Sequence, residues 1–385
     1  MIVKRRRNKI LHWFFQPFVG AKRGEHQADM TLLIVVACLI FFGLIFLSSA
    51  SSNLAFYKFG DTYKLLKQQI VHGLLPGLVL FYFALRLDYH IYKRFIYFFL
   101  ALSFLLLILV FLTNFGAGFG TANSWIVIGG LAFQPSELVK LLLIVFLAIW
   151  FDKIGEQIRN KKTVIFFLVI LALISLLLIK QPDLGTLVII ILVALAMFYV
   201  AGARLLHLGS ILLAAFLAFI ALVITAPYRM NRVRTWFNPN LDPQGIGWQI
   251  QQSLIAIGSG GWFGTGLGSS KQKSYLPQPA NDSIFAVIAE EIGFVFSLLF
   301  LFLFFALLKK GFQIAKNADD NFGKLLAIGI SVWLGLQVFI NIAGMIQLAP
   351  LTGVPLPFVS LGGTNLVVSL ISVGILANIS RHANT

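Results

Sequence analysis

The chain has 385 residues, of which 59% are hydrophobic and 11% charged, and a mean hydropathy of +0.90, which excludes an ordinary soluble domain. Its formal net charge is +16, yet the basic residues lie between long apolar runs, so the charge concerns membrane orientation and no nucleic-acid partner is expected. The one cysteine, Cys38, sits inside an apolar run, which excludes a disulfide framework and a cysteine-based metal site.

Residues 1–29 form a basic tail containing "KRRRNK". The following "ILHWFFQPFV" reads either as a short interfacial helix, with Trp13, Phe14 and Phe15 among lipid headgroups, or as disordered chain. No small-residue cleavage site follows the first apolar run, so that run reads as an anchor and not as a removed signal. Ten mostly apolar runs, each of roughly the length that crosses a bilayer as a helix, are predicted at 30–50, 67–85, 94–113, 135–151, 163–180, 184–201, 208–227, 283–308, 324–347 and 364–380. The expected fold is therefore an all-α polytopic membrane protein, with residues 30–380 forming one bundle of about ten transmembrane helices. With the N-terminus inside, 20 of the 30 Lys and Arg fall on the inner side and 9 on the outer, while Lys140 lies within a span. Both termini, including residues 381–385, are then cytoplasmic. Anionic inner-leaflet lipids suffice to account for the inner excess.

One connection is long. Residues 228–282, between the seventh and eighth spans, face outside and are rich in Gly, Pro, Gln and Trp. A loop of that length in a compact domain is usually functional or disordered. Here "WQIQQSLIAIGSGGWFGTGLG" holds a short amphipathic helix followed by glycine turns, and packing against the bundle is expected. The glycines match no G-x-G-x-x-G fingerprint, so tight turns or backbone cradling of a phosphate remain open. Arg229, Arg232 and Arg234, with Lys271 and Lys273, put five cations on the side that topology normally depletes. They suit either a pyrophosphate or lipid headgroups.

Ionisable residues within the spans are costly and therefore informative. Glu137 and Lys140 in "QPSELVK" are three apart on one helix face, and either neutralise one another or line a polar cavity. Lys180 and Asp183 flank Pro182, where an ion pair is expected. Asp282 stands at the mouth of the eighth span, as a helix N-cap or as a carboxylate poised to take a proton from a hydroxyl. Glu290 and Glu291 are expected about two turns deeper, one facing the bundle interior. The six His show no zinc-site spacing, and no serine nucleophile elbow occurs.

The stretches "QPSELVKLLLIVFLA", "KQPDLGTLVIIILVALAMFYVAGA", "YRMNRVRTWFNPNLDPQGIGWQIQQSLIAIGSGGWFGTGLG", "YLPQPANDSIFAVIAEEIGF" and "PLTGVPLPFVSLGG" stand in the order found in the bacterial SEDS (shape, elongation, division and sporulation) family, which the chain resembles over nearly its whole length. The resemblance implies a ten-helix peptidoglycan glycosyltransferase that polymerises lipid II on the outer face of the cytoplasmic membrane. It implies as partners lipid II, the polyprenyl-pyrophosphate-linked glycan, a class B penicillin-binding protein, other divisome membrane proteins and membrane lipids. The family's essential aspartate falls on Asp282 and its important tryptophan on Trp125. Its glutamate and lysine pair falls on Glu137 and Lys140. Asn281 and Ser283 stand where the family usually has Thr and Phe. The compact "GTGLGSSKQKSYLP" is nearer to division-type members than to elongation-type ones.

In the mechanism so implied, Asp282 is general base on an acceptor hydroxyl, and the loop cations Arg229, Arg232, Arg234, Lys271 and Lys273 stabilise the leaving pyrophosphate. Trp125, Glu137, Lys140 and Glu291 are expected to bind substrate, the pair shaping a cavity for its head group. A divalent metal, Mg or Mn, is the one cofactor such chemistry accommodates, and no organic cofactor is implied. An elongation-type polymerase, a lipid II flippase and a noncatalytic scaffold are the rival readings.

Overall fold

A computed structural model describes residues 27–112, 124–128 and 131–383. Most of the basic tail, with its "ILHWFFQPFV" segment, lies outside the described residues. Every one of the ten apolar runs folds as a helix, because backbone polar groups removed from water must be satisfied within the segment itself. They form α1 (Met30–Phe59), α2 (Lys64–Arg86), α3 (Ile96–Leu112), α4 (Pro135–Ile154), α5 (Lys161–Lys180), α6 (Leu184–Val200) and α7 (Leu205–Ile224). After two helices of the long loop, α8 (Pro227–Phe237) and α9 (Ile246–Ser259), come α10 (Ile284–Asn317), α11 (Asn321–Met345) and α12 (Gly363–Arg381).

Among the described residues, eight helices are long and apolar enough to cross a membrane. Helix α4 carries Glu137, Lys140, Asp152 and Lys153, and α6 has only 17 residues; both are largely enclosed by their neighbours. The connection from α3 to α4 is not purely helical, since β1 (Ile126–Ile128) pairs antiparallel with β2 (Leu131–Phe133) and sets Ile126 opposite Phe133. Three consecutive β-branched residues favour that extended conformation.

Polar ties define the two ends of the bundle. At one end the Asp29 N–H donates to Ser380 Oγ at 3.0 Å, and Lys310 Nζ lies 3.1 Å from the Asp29 carboxylate. There too Lys93 bridges Asp152 and Asp320, at 3.0 Å from each. This is the end that the charge asymmetry of the sequence assigns to the inside. At the other, Ser49 of α1 donates to Glu291 and Asn341 of α11 donates to the Asp282 carbonyl. At about 1.5 Å per residue, Ser49 and Asn341 each stand about 30 Å from the inner end of their helix. The first segment of α10 therefore runs across the outer end, from α11 toward α1. Glu290 and Glu291 are not two turns deeper than Asp282 in the membrane, as the sequence suggests, because α10 is broken before it descends.

The break is at Gly293, with φ 74° and ψ −177°, a conformation open in practice only to glycine. The amide and carbonyl groups freed there are taken up by the glycine-rich loop. Phe294 N–H donates to Gly261 O at 2.9 Å and Val295 N–H to Trp262 O at 3.1 Å. In return Thr265 and Gly266 N–H donate to Glu290 O and Glu291 O, at 2.9 and 3.0 Å. A Cβ at Gly293 would lie 2.2 Å from the Gly264 nitrogen, so the contact tolerates no side chain.

Replacing Gly293 by Ala combines a forbidden backbone angle with a backbone clash, and should cost about 2–4 kcal/mol. Gly258, near the end of α9, has no heavy atom within 4 Å of its would-be Cβ, and Gly258→Ala should leave stability unchanged or raised by about 0.5–1 kcal/mol. Thermal unfolding in detergent, followed by loss of monodisperse elution, separates the two; equal melting of both variants would contradict the role given to the break.

Candidate active site

The residues ahead of α10 are held by their backbone. Leu361 N–H donates to Ala280 O at 2.8 Å, Ser360 Oγ to Asn281 O at 2.6 Å and Asn341 Nδ2 to Asp282 O at 2.9 Å. Three successive carbonyls are thus tied to α11 and to the loop before α12. The loop is gripped in turn from α11: Asn341 Nδ2 donates to Val354 O at 2.8 Å, and Gln337 Nε2 to Pro355 O at 3.0 Å. Buried backbone acceptors require partners, and here the partners also fix where residue 282 stands.

Asp282 does not act as the helix N-cap, the first of its two sequence readings. Ser283 holds that position and makes no side-chain cap bond. The Asp282 carboxylate instead accepts from Gln249 Nε2, on α9, at 3.2 Å through Oδ2. Gln249 Nε2 also donates to Ser283 Oγ at 3.0 Å, and Ser283 Oγ donates to Pro277 O at 3.2 Å. Oδ1 is buried and has no hydrogen-bond partner among the described residues. Burial raises the pKa of Asp282 above its ordinary value; the Gln249 bond, nearby backbone amides and Arg232 oppose that rise without cancelling it. A fixed carboxylate with raised basicity and one unshared oxygen is equipped to accept a proton.

The five outer cations divide by environment. Arg229 is buried and spends its donors on Tyr228 Oη at 2.8 Å, Leu222 O at 3.2 Å and Ile179 O at 3.5 Å. Those carbonyls belong to the last turns of α7 and α5, so Arg229 satisfies helix ends. Arg232 is half-buried, reaches Leu351 O at 3.5 Å, and acts electrostatically on Asp282. Arg234 and Lys271 are exposed. Lys273 is buried, donating to Gly268 O at 2.8 Å and lying 3.9 Å from the Glu291 carboxylate.

Glu290 and Glu291 also turn away from Asp282. Glu290 accepts from Ser270 Oγ, from Lys271 N–H at 2.9 Å and from Gln272 N–H at 3.3 Å, so it anchors the loop that carries Lys271. A pocket of about 460 Å³ lies beside it, lined by Ser259, Thr265, Ser269, Lys271 and Gln272. Glu291 accepts from Ser49 Oγ of α1, and its Oε2 is buried without a partner among the described residues. It thereby joins α1, α10 and Lys273.

Glu137 and Lys140 are 1% and 2% exposed. Lys140 Nζ donates to Glu137 Oε1 and to Gln337 Oε1, both at 2.8 Å, and Asn365 Nδ2 donates to Glu137 Oε2 at 2.8 Å. Trp333 Nε1 adds a bond to Gln337 Oε1 at 2.7 Å. The expected cavity is thus replaced by a buttress: the pair supports Gln337, which holds the loop that clamps Asp282. Lys180 and Asp183 form no ion pair; Asp183 caps Thr186 N–H at 3.1 Å and accepts from Ser136 Oγ at 3.0 Å. Trp125 is half-buried, immediately before β1 at the outer end.

Gln249, Asn341, Gln337 and Ser360 are parts of the site that the sequence reading passes over. Each is an uncharged polar residue in an apolar surrounding, and the signal that could have found Gln337 and Asn341 is the cost of burying an unpaired amide within a span.

A family model described as "Cell cycle protein", covering FtsW, RodA and SpoVE, matches residues 29–385. The stage V sporulation protein E of Bacillus subtilis (strain 168) is 39% identical over 357 residues, 92% of this chain and 97% of that protein. A probable peptidoglycan glycosyltransferase FtsW of Trichlorobacter lovleyi is 39% identical over 356 residues, covering 92% and 93%. Among solved structures, a chain from work on the structural coordination of polymerization and crosslinking by a peptidoglycan synthase complex superposes with a TM-score of 0.76 at 27% identity, over 92% of this chain and 98% of that one.

Two stability measurements test the site. Lys140→Met leaves Glu137 buried and unpaired and should cost about 3–5 kcal/mol, most of it recovered in the Glu137→Gln/Lys140→Met double variant; a double variant no better than the single would refute the buttress as an ion pair. Asp282→Asn should melt above the parent at pH 7. The folded pKa of Asp282 is raised, so its charged form weakens the fold: the penalty is absent below the usual carboxylate range and complete above the raised pKa. The advantage of the variant must therefore shrink as pH falls, and an advantage that grows on acidification would contradict the environment described.

Proposed function

The chain belongs to the FtsW/RodA/SpoVE family of cell cycle proteins, and on that premise we propose that it polymerises lipid II at the outer face of the cytoplasmic membrane with Asp282 as general base. Its activity is that of a peptidoglycan glycosyltransferase. The observation that carries the mechanism is the Asp282 carboxylate itself, clamped through its backbone, raised in basicity and with Oδ1 unshared.

In the proposed step, Asp282 accepts the proton of the 4-hydroxyl of the acceptor's GlcNAc. The oxygen attacks the anomeric carbon of the growing chain's MurNAc from the face opposite the leaving group. A new carbon–oxygen bond forms as the bond to the polyprenyl pyrophosphate breaks, the electron pair leaving with the phosphate, and the α linkage becomes β-1,4. A positioned base contributes about 10²- to 10⁴-fold to such a step. Arg232, Arg234 and Lys271 are the outer cations left to meet the pyrophosphate, since Arg229 and Lys273 are engaged elsewhere. Among the described residues, no group of three or more His, Cys, Asp or Glu is placed to hold a metal ion. Glu290 is already saturated by the loop, so a divalent ion would be held by Asp282 together with the substrate's own phosphates, and no step is routed through one.

Relatives named FtsW, together with the compact loop before "YLP", favour a septal role with a class B penicillin-binding protein that crosslinks the product. Complementation distinguishes the roles: the chain should rescue loss of the division polymerase and not loss of the elongation polymerase. Rescue of elongation alone would reverse the assignment.

The catalytic test uses purified protein, alone and with its transpeptidase, labelled lipid II, and products resolved on a gel. Polymer should form with the parent chain and fall about 10²-fold or more with Asp282→Asn. Unchanged polymer from that variant would remove Asp282 as base, and no polymer under any condition would return the flippase and scaffold readings.

A further inference from the structure

The bonds that hold residue 282 in place stop at its backbone. Asn341 reaches the Asp282 carbonyl, and Ser360 and Leu361 reach the two carbonyls before it. Among the described residues, the carboxylate receives one side-chain hydrogen bond, from Gln249 at 3.2 Å. Gln249 belongs to α9, an element of the outer loop 33 residues earlier.

We propose that Gln249 is the positioning residue of the base: its amide holds Oδ2 and Ser283 Oγ together, which fixes the rotamer of the carboxylate that takes the proton. This rests on the reading of Asp282 as general base. The residue type suits the task. An amide has two N–H groups, enough to serve both oxygens from one nitrogen. It carries no charge, so it orients the carboxylate without the loss of basicity that a lysine or arginine in contact would bring. It also ties the readiness of the base to the seating of α9, so anything that shifts the outer loop alters the base directly.

The groups facing the carboxylate bound the expected effect. From α8 comes the half-buried Arg232, held at Leu351 O; from α9 the neutral Gln249; from α11 the neutral Asn341; and from its own segment Ser283. Arg232 is the charged group acting on Asp282 from these elements. Loss of Gln249 then leaves a buried carboxylate oxygen without its donor, which disfavours ionisation.

The test is the pH dependence of lipid II polymerisation by the full chain with its transpeptidase, for the parent, Gln249→Leu, Gln249→Glu, Gln251→Leu and Asp282→Asn. Gln249→Leu should move the acid limb of kcat upward by about one pH unit or more, lowering the rate about tenfold at the acid end and less at high pH, with KM little changed. Gln249→Glu, nearly the same shape, sets a second carboxylate against the first and should displace the limb further. Gln251 is on the same helix, bonded to Asn240 at the surface, and Gln251→Leu should keep the parent profile. If Gln249→Leu fails to fold, Gln249→Glu carries the test alone. Rates reduced equally at every pH, or a parent profile in both Gln249 variants, would overturn the positioning role. Activity retained by Asp282→Asn would instead overturn the base assignment, whatever the Gln249 variants do.

Discussion

A helix that stops within a membrane protein exposes backbone groups that lipid cannot satisfy, and the structure is organised around one such stop. At Gly293 the backbone of α10 leaves helical geometry, and residues 261–266 of the outer loop supply the missing donors and acceptors. Because that exchange is closed, the segment Ile284–Ile292 can lie across the outer end of the bundle instead of descending into it. Its start is then delivered to α11 and to the loop before α12, and its end to α1. Without the break, Asp282 would cap an ordinary spanning helix and Glu290 and Glu291 would be charges inside lipid, at a cost of several kcal/mol.

The same economy governs the other polar groups. Glu137, Lys140, Gln337 and Asn365 form a hydrogen-bonded network among α4, α11 and α12, where each member would be expensive alone. The network ends on the carbonyl of Pro355 and so stiffens the loop that holds residues 280–282. Charge that a membrane protein must justify is here used to brace a site a few residues away. Arg229 does similar work at the ends of α5 and α7. Asp282 is a carboxylate placed where burial opposes its charge, with Oδ1, like Oε2 of Glu291, left without a partner among the described residues. Groups that weaken the fold in this way tend to be retained for chemistry.

Control of that carboxylate is divided between two parts of the chain. The C-terminal helices set the position of its backbone, and the outer loop, through α9, sets its side chain. A glycosyl transfer at a membrane surface needs a rigid reaction centre and an outer wall that admits two large substrates. Backbone clamps suit the first need and a side-chain contact from a surface helix suits the second.

Much was legible from the residues alone. Apolar run length is a local property matched to bilayer thickness, so the ten helices and their order follow from it, and the uneven distribution of Lys and Arg orients them. The motifs around Asp282 were enough to place the chain in its family and to single out Asp282 as the candidate base. Which cations are free and which are spent was not legible, because Arg229 and Arg232 are three residues apart in one sequence motif and differ only in the carbonyls they meet. Nor was the turn of α10 at Gly293, since an apolar run containing one glycine reads as continuous until the loop that pairs with it is in place. Gln249 and Asp282 meet across 33 residues of chain. Periodicity and composition describe neighbours in sequence; hydrogen bonds between distant segments exist only once those segments are packed, and at this site they decide how the Asp282 carboxylate is held.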